Sequence, residues 1–153
     1  MSSIVDAPVV LAEVIEPSLL SELCTAHANH HGAGIKVFDV ANKQLLDVGE
    51  GGELLRWLFG FQKARKLFTN FVTSIKNTTP EIGEWQVRDD PVTGMRYQLL
   101  AISYEFEVLG KLVFGPYINE HTQPPRVPTG VPNEPEHVHR YQQLCNSLPR
   151  FSD

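Results

Sequence analysis

The spacing of the apolar residues changes twice along the chain, and this change constrains the fold more than any other feature. Residues 35–48 and the segment after Gly83 carry the spacing of two that is typical of strands. Between them, Leu54 to Ile75 carries the spacing of three and four that places apolar side chains on one face of a helix. This order is not the strict strand and helix alternation of a doubly wound sheet. The sequence therefore predicts an α+β domain, with a central antiparallel sheet of about five strands flanked by helices.

Cap and turn residues place the first elements. Pro17 and Ser18 are typical of a helix start, and they predict a helix over residues 18–28. The β-branched residues on either side of the turn "ANK" predict two antiparallel strands, over 35–40 and 44–48.

The second half of the chain carries its own boundary signals. Gly60 marks a break in the helical segment, which we expect to form either one long helix or two consecutive helices. The stretch "DDPVTG" has the composition of a hairpin turn between strands. Five prolines between Ile118 and Pro135 predict an extended loop, because proline removes backbone donors. A last helix is predicted after this loop.

Size and charge limit the possible classes of protein. The chain has 153 residues, 42% of them hydrophobic, and we expect an N-terminal extension over 1–17 and one domain over 18–153. The 18 acidic residues outnumber 13 lysines and arginines, which argues against a nucleic-acid partner. Asp6, Glu13 and Glu16 interrupt the apolar N-terminus, so neither a signal peptide nor a membrane span is expected. These features predict a soluble, cytoplasmic protein.

The residues that could carry catalysis or bind metal form no recognised motif. The sequence has no phosphate-binding loop, no Gly-x-Ser-x-Gly and no His-Glu-x-x-His, so we do not expect an enzyme. Cys24, His27 and His31 lie at the end of the first predicted helix at spacings of three and four, so they could converge on one ion, and a thiolate with imidazoles suits zinc. Histidines are also common at helix C-termini, where their charge complements the dipole. We therefore expect no metal, with these three residues as the only candidates.

Aromatic residues are the strongest candidates for a binding site. They lie on the predicted helices and on the predicted strands, and together they could line an apolar pocket with polar rims. The alternative is a core that the same side chains fill completely. The candidates are Trp57, Phe61, Tyr97, Tyr104 and Phe114.

Two hairpins carry a family resemblance. The stretch "LLAISYEFEVLGKLVFGPYI" resembles the last sheet hairpin of GAF, PAS and especially PocR-like sensory domains, and "GIKVFDVANKQLLDVG" is similar to their first hairpin. In this motif we expect Gly110 to allow a bend or a close neighbour, and Gly115 and Pro116 to end the strand. The stretch "LPRFSD" is similar to the point where such domains lead into a signalling helix.

The resemblance implies a function in signal transduction. It implies a small molecule bound between the sheet and the helices of Leu54 to Ile75, with the terminal helices transmitting the signal through a homodimer or another signalling partner. Many PocR-like domains carry cysteines between the two hairpins, and this sequence has none between Cys24 and Cys145. No metal, cofactor or ligand residue therefore follows from the resemblance. The alternatives are a ligand-free interaction or dimerisation module and, third, a small metal-dependent or thiol enzyme.

Overall fold

The computed structural model describes residues 16–31, 33–49, 52–121 and 123–151. The helices of this part of the chain are α1 Pro17–His31, α2 Gly52–Leu58, α3 Gln62–Lys76 and α4 Pro135–Asn146. The strands are β1 Ile35–Asp39, β2 Gln44–Val48, β3 Trp85–Asp89, β4 Arg96–Tyr104, β5 Glu107–Asn119 and β6 Arg150–Phe151.

Five strands form an antiparallel sheet in the order β2-β1-β5-β4-β3. The long strand β5 lies in the middle, between β1 and β4, so the first and last predicted hairpins meet along it. This arrangement confirms the expected α+β class, with one antiparallel sheet flanked by helices, and it is consistent with a PAS/GAF-like architecture. The sixth strand, β6, pairs in parallel with the end of β5 and was not predicted.

Most boundaries fall where the sequence predicts them. Helix α1 begins at Pro17 and is three residues longer at its end than predicted. The break at Gly60 is confirmed, because Phe59 and Gly60 form a turn between α2 and α3. Residues 120–134 contain no helix or strand in the part that the structure describes, in agreement with the predicted proline loop. Residues 1–15 of the expected N-terminal extension lie outside the described residues.

The two glycines of the last hairpin differ from each other in their roles. At Gly110 a Cβ would lie 2.2 Å from the Phe38 carbonyl oxygen, so the expected close approach is confirmed. Gly115 and Pro116 do not end the strand as predicted, because β5 continues to Asn119. The pairing of β4 with β5 instead shifts there by one residue, with Gly115 at φ 140°. The Gly-Pro pair therefore forms a bulge inside β5.

The two faces of the sheet pack against different helices. One face, here called the helical face, carries Phe38, Tyr97, Leu99 and Val113 and packs in one cluster with α2, α3 and α4. The opposite face, here called the α1 face, buries Ile35, Val37 and Leu109 with Cys24 of α1 in a smaller cluster. Among the described residues, no helix is both long enough and apolar enough to span a bilayer.

Candidate ligand-binding cavity

A cavity of about 370 Å³ lies between the helical face and helix α3. Three side chains of the sheet form one wall, and residues of α3, together with Leu55 of α2, form the other. The wall residues of the sheet are Phe38, Tyr97 and Val113, and those of α3 include Phe68, Phe71, Val72 and Ile75.

The local sequence explains why these side chains meet. Residues 64, 68, 71 and 75 of α3 are buried at the spacing of three and four, so one stripe of this helix faces the sheet. In β1, Phe38 lies in the helical-face cluster whereas Ile35 and Val37 lie in the cluster under α1. Lys36 shares the face of Phe38, because alternate residues of a strand point to the same side. The cavity is therefore bounded by an apolar helix stripe and by one face of β1, β4 and β5.

The lining becomes polar towards β2 and the last turn of α3. The side chains of Lys36, Gln44, Asp47 and Lys76 border the cavity there. Lys36 Nζ lies 3.0 Å from Asp47 Oδ1, which makes a partly exposed ion pair. Lys76 Nζ lies 5.9 Å from the centre of the Phe38 ring, within the range of a cation–π contact. We call this polar border the mouth of the cavity.

A buried lysine holds the end of α3 beside the mouth. Lys111 of β5 is only 5% exposed. Its ammonium group donates hydrogen bonds to the carbonyl oxygens of Ile75, Lys76 and Thr78 at 2.7, 2.6 and 2.7 Å. Burial lowers the pKa of this group. These carbonyls lie at and just after the end of α3, and that of Ile75 also accepts a bond from the Thr78 backbone N–H, so Lys111 acts as a cap supplied by the sheet.

Tyr97 is the one sequence-predicted site residue that lines this cavity. Its ring lies 5.4 Å from that of Phe71, and burial raises its pKa well above the usual value. The side chain is therefore a neutral phenol at ordinary pH. Phe68 and Phe71 were recognised as part of the helix stripe but not as site residues, because the stripe alone does not show where the sheet leaves a gap.

The other four aromatic candidates lie elsewhere. Trp57 stacks on Tyr141 of α4, with ring centres 6.1 Å apart, and packs edge-on against Phe61. Phe114 lies on the α1 face, and Tyr104 is 46% exposed at the end of β4. The five residues therefore do not surround one cavity, and ligand binding by these four stays a prediction.

The candidate metal ligands of α1 lie in different surroundings. Cys24 is buried in the α1-face cluster, and this burial raises the pKa of its thiol. His27 is exposed, and its ring packs edge-on with that of Phe114, with the ring centres 5.7 Å apart. The side chain of His31 lies outside the described residues. The second thiol, Cys145, is buried on the helical face, and burial raises its pKa as well.

A different group of possible ligand atoms lies at the start of α4. Atoms of Glu134, Glu136 and His137 lie within 4.8 Å of one another. Both glutamates are exposed, and His137 Nδ1 lies 3.0 Å from the carbonyl oxygen of Pro132. Exposed acidic groups beside a histidine are common on protein surfaces, so surface ion pairing accounts for this group.

A second, larger groove lies between the proline loop and α4. It has a volume of about 550 Å³ and is bordered by Pro124, Pro125, Arg126 and Gln142 among others. Its lining is more polar than that of the first cavity, and it lies on the surface of the loop. The smaller cavity is the better candidate, because apolar side chains enclose it on two sides and polar groups converge at its mouth.

Comparison of the chain with protein-family models, with curated proteins and with solved structures finds no match.

Proposed function

We propose that this chain is a sensory domain of the PAS/GAF-like type, which its hairpins resemble together with those of PocR-like domains, and that it acts in signal transduction. The cavity between the helical face and α3 binds a small molecule. The observation that carries this proposal is the position and lining of that cavity. Its volume of about 370 Å³ falls within the range of small-molecule sites, and its apolar walls with a polar mouth are typical of them.

Helix α2 connects the cavity to α4. Leu55 lines the cavity, and Trp57, two residues further along the same helix, stacks on Tyr141 of α4. A ligand that displaces Leu55 moves Trp57 with it, because both side chains belong to one short helix. The displacement changes the packing of α4. This alters the contact between α4 and a partner protein or a second copy of the chain.

A neutral fluorescent probe, 1-aminoanthracene, tests whether the cavity admits a small molecule. We expect saturable binding of one probe per chain to the wild-type protein. Val72→Phe places a larger side chain in the cavity and should weaken binding by about tenfold or more, which corresponds to about 1.4 kcal/mol. Val87→Phe is the matched control, because Val87 is 41% exposed on β3 and does not line the cavity. Equal probe binding by both variants would contradict the proposal.

Native mass spectrometry of the protein purified from its own host tests for a natural ligand. The native mass is compared with the denatured mass of the same sample. We expect an added mass in the wild-type protein that Val72→Phe does not retain. An added mass retained by the variant would place the ligand elsewhere.

A ligand-free interaction or dimerisation module is the second candidate function. The observation that favours it is the exposure of Trp85 and Val87, which lie two residues apart on the edge strand β3. Apolar side chains on an edge strand are available to a partner or to a second copy of the chain. Sedimentation equilibrium tests it: a dimer that Trp85→Lys converts to monomer, in a protein that takes up no 1-aminoanthracene, would favour this candidate over the sensory domain.

A further inference from the structure

The mouth of the cavity has an imbalance of charge among the described residues. Two ammonium groups, those of Lys36 and Lys76, border it together with a single carboxylate, that of Asp47. Asp47 is already paired with Lys36 at 3.0 Å. No carboxylate of a described residue lies within ion-pairing distance of Lys76 Nζ, whose recorded contact is the ring of Phe38. One positive charge at the mouth is therefore without a negative partner in this part of the chain.

A lysine in the last turn of a helix has a simple structural explanation, because its charge complements the negative end of the helix dipole. Here that role belongs to another residue. The ammonium of Lys111 already donates to the carbonyls of Ile75, Lys76 and Thr78, so the end of α3 is capped by a buried cation. Capping by Lys111 leaves the charge of Lys76 available to the mouth.

We propose that the ligand of this cavity is an amphipathic carboxylate, with an aromatic or branched apolar group and one acid group. This inference rests on the proposed function. The apolar group lies among Phe68, Phe71 and Val113, and the acid group lies at Lys76. The carboxylate accepts a charge-assisted hydrogen bond there from the ammonium of Lys76, an exposed residue at the mouth.

Two features make this arrangement favourable for an anion. A helix C-terminus ordinarily repels negative charge, and the three hydrogen bonds from Lys111 offset this repulsion at α3. Lys36 adds a second positive charge at the same border, although its pairing with Asp47 reduces the effect. The charge of Asp47 opposes the ligand, so the acid preference of the site is adjustable by changing that residue alone.

The test compares an acid with its neutral counterpart, 3-phenylpropanoate with 3-phenylpropanamide, by calorimetric titration of the full chain. We expect the acid to bind wild-type protein about tenfold more tightly than the amide, which corresponds to about 1.4 kcal/mol. Lys76→Met should reduce this preference to about twofold or less, with the affinity for the amide retained. Lys66→Met is the control, because this exposed lysine of α3 does not line the cavity.

A second variant tests the proposal through a gain of affinity, which a loss of folding cannot imitate. Asp47→Asn removes the opposing charge and frees Lys36, so we expect the acid preference to rise about threefold, as for a partly exposed charge pair. The preference should also fall as sodium chloride is raised, because salt screens charges near the surface.

The outcomes separate this inference from the proposed function. Equal affinities for acid and amide in wild-type protein, or an acid preference that survives Lys76→Met, would overturn the carboxylate assignment. The carboxylate assignment would also be overturned if the acid did not bind while 1-aminoanthracene still entered the cavity. In all three cases the proposed function stands. If neither the phenyl compounds nor 1-aminoanthracene bind, both proposals are overturned.

Discussion

The two faces of the sheet differ in the helices that cover them. The helical face is covered by three helices and contains most of the buried apolar residues, yet it leaves a cavity of about 370 Å³. In the part of the chain that the structure describes, the α1 face is covered by one helix, and Cys24, Ile35, Val37 and Leu109 are the buried residues of its cluster. Among the described residues, the cavity therefore lies on the face with more covering helices.

The cavity is surrounded by many described side chains, so it is not a place where side chains are simply lacking. Protein interiors are usually packed to the density of organic crystals, and voids larger than a water molecule are few. On the helical face, large side chains such as Phe68 and Phe71 stand around the volume without closing it. The border also brings charged groups together, which a defect of apolar packing does not require. Both features agree with a site for a ligand.

The largest expected difference between the faces concerns truncated aromatic residues. Phe68 on α3 is 4% exposed, and we expect Phe68→Ala to lower the free energy of unfolding by about 4 kcal/mol. Trp85 is the larger side chain, but it lies on the α1 face of β3 and is 51% exposed. Trp85→Ala should therefore cost about 1 kcal/mol or less. Urea denaturation of both variants measures the difference. Similar costs would show that the two faces contribute equally to stability.

The second prediction concerns the polar anchor of the helical face. Lys111→Met keeps the length of the side chain but leaves the carbonyls of Ile75, Lys76 and Thr78 without this donor. We expect the unfolding free energy to fall by about 3 kcal/mol, since the carbonyls of Lys76 and Thr78 lose this donor, while that of Ile75 keeps its bond from the Thr78 backbone N–H. The control is Lys43→Met on the exposed turn after β1, which should change stability by about 0.5 kcal/mol or less. A similar small effect at Lys111 would contradict its role as a cap.

The third prediction compares added volume on the two faces. Val37 is fully buried on the α1 face, and Val37→Phe should cost about 2 kcal/mol because no space receives the ring. Val72 borders the cavity, so Val72→Phe should cost about 1 kcal/mol or less while filling it. Thermal or urea unfolding of the two variants is the measurement. A larger loss for Val72→Phe would mean that the cavity is not available to a side chain.

The smallest expected effect is a change in tryptophan emission. Trp85→Phe leaves Trp57 as the only tryptophan, stacked on Tyr141 and adjacent along α2 to the cavity-lining Leu55. If α2 carries the signal, 3-phenylpropanoate should shift the emission of Trp57, and the additional substitution Val72→Phe should remove that shift. Binding detected by calorimetry without any change in emission would separate the cavity from α4.

Much of the fold follows from local features of the sequence. The helix stripe of α3 and the alternating strands are set by apolar spacing, and the break at Gly60 and the turn before β4 are set by residues with special backbone preferences. The strand order does not follow, because it depends on pairing between distant segments. Strand β6 has only two residues, which is too short to show any period. The bulge at Gly115 was missed because a Gly-Pro pair is also the usual sign of a strand end.

The site was less predictable than the fold. Aromatic type alone did not show that Trp57 packs towards α4 or that Phe114 lies on the α1 face, since those directions depend on tertiary packing. The polar members were missed for a different reason. Lys76 lies outside the apolar stripe of α3, so its position predicts an ordinary solvent-exposed charge. Lys111 lies in a mainly apolar strand. A lysine inside such a strand was the one available signal of a buried polar role.

The most direct test of the account is a set of intermolecular nuclear Overhauser effects between 1-aminoanthracene and the methyl groups of the protein. We expect contacts from the probe to the methyls of Val72, Ile75 and Val113, which border the cavity, and none to those of Ile35 and Val37 on the α1 face. Contacts to the methyls of the α1 face, or none to the three cavity residues, would contradict the claim that this cavity is the binding site.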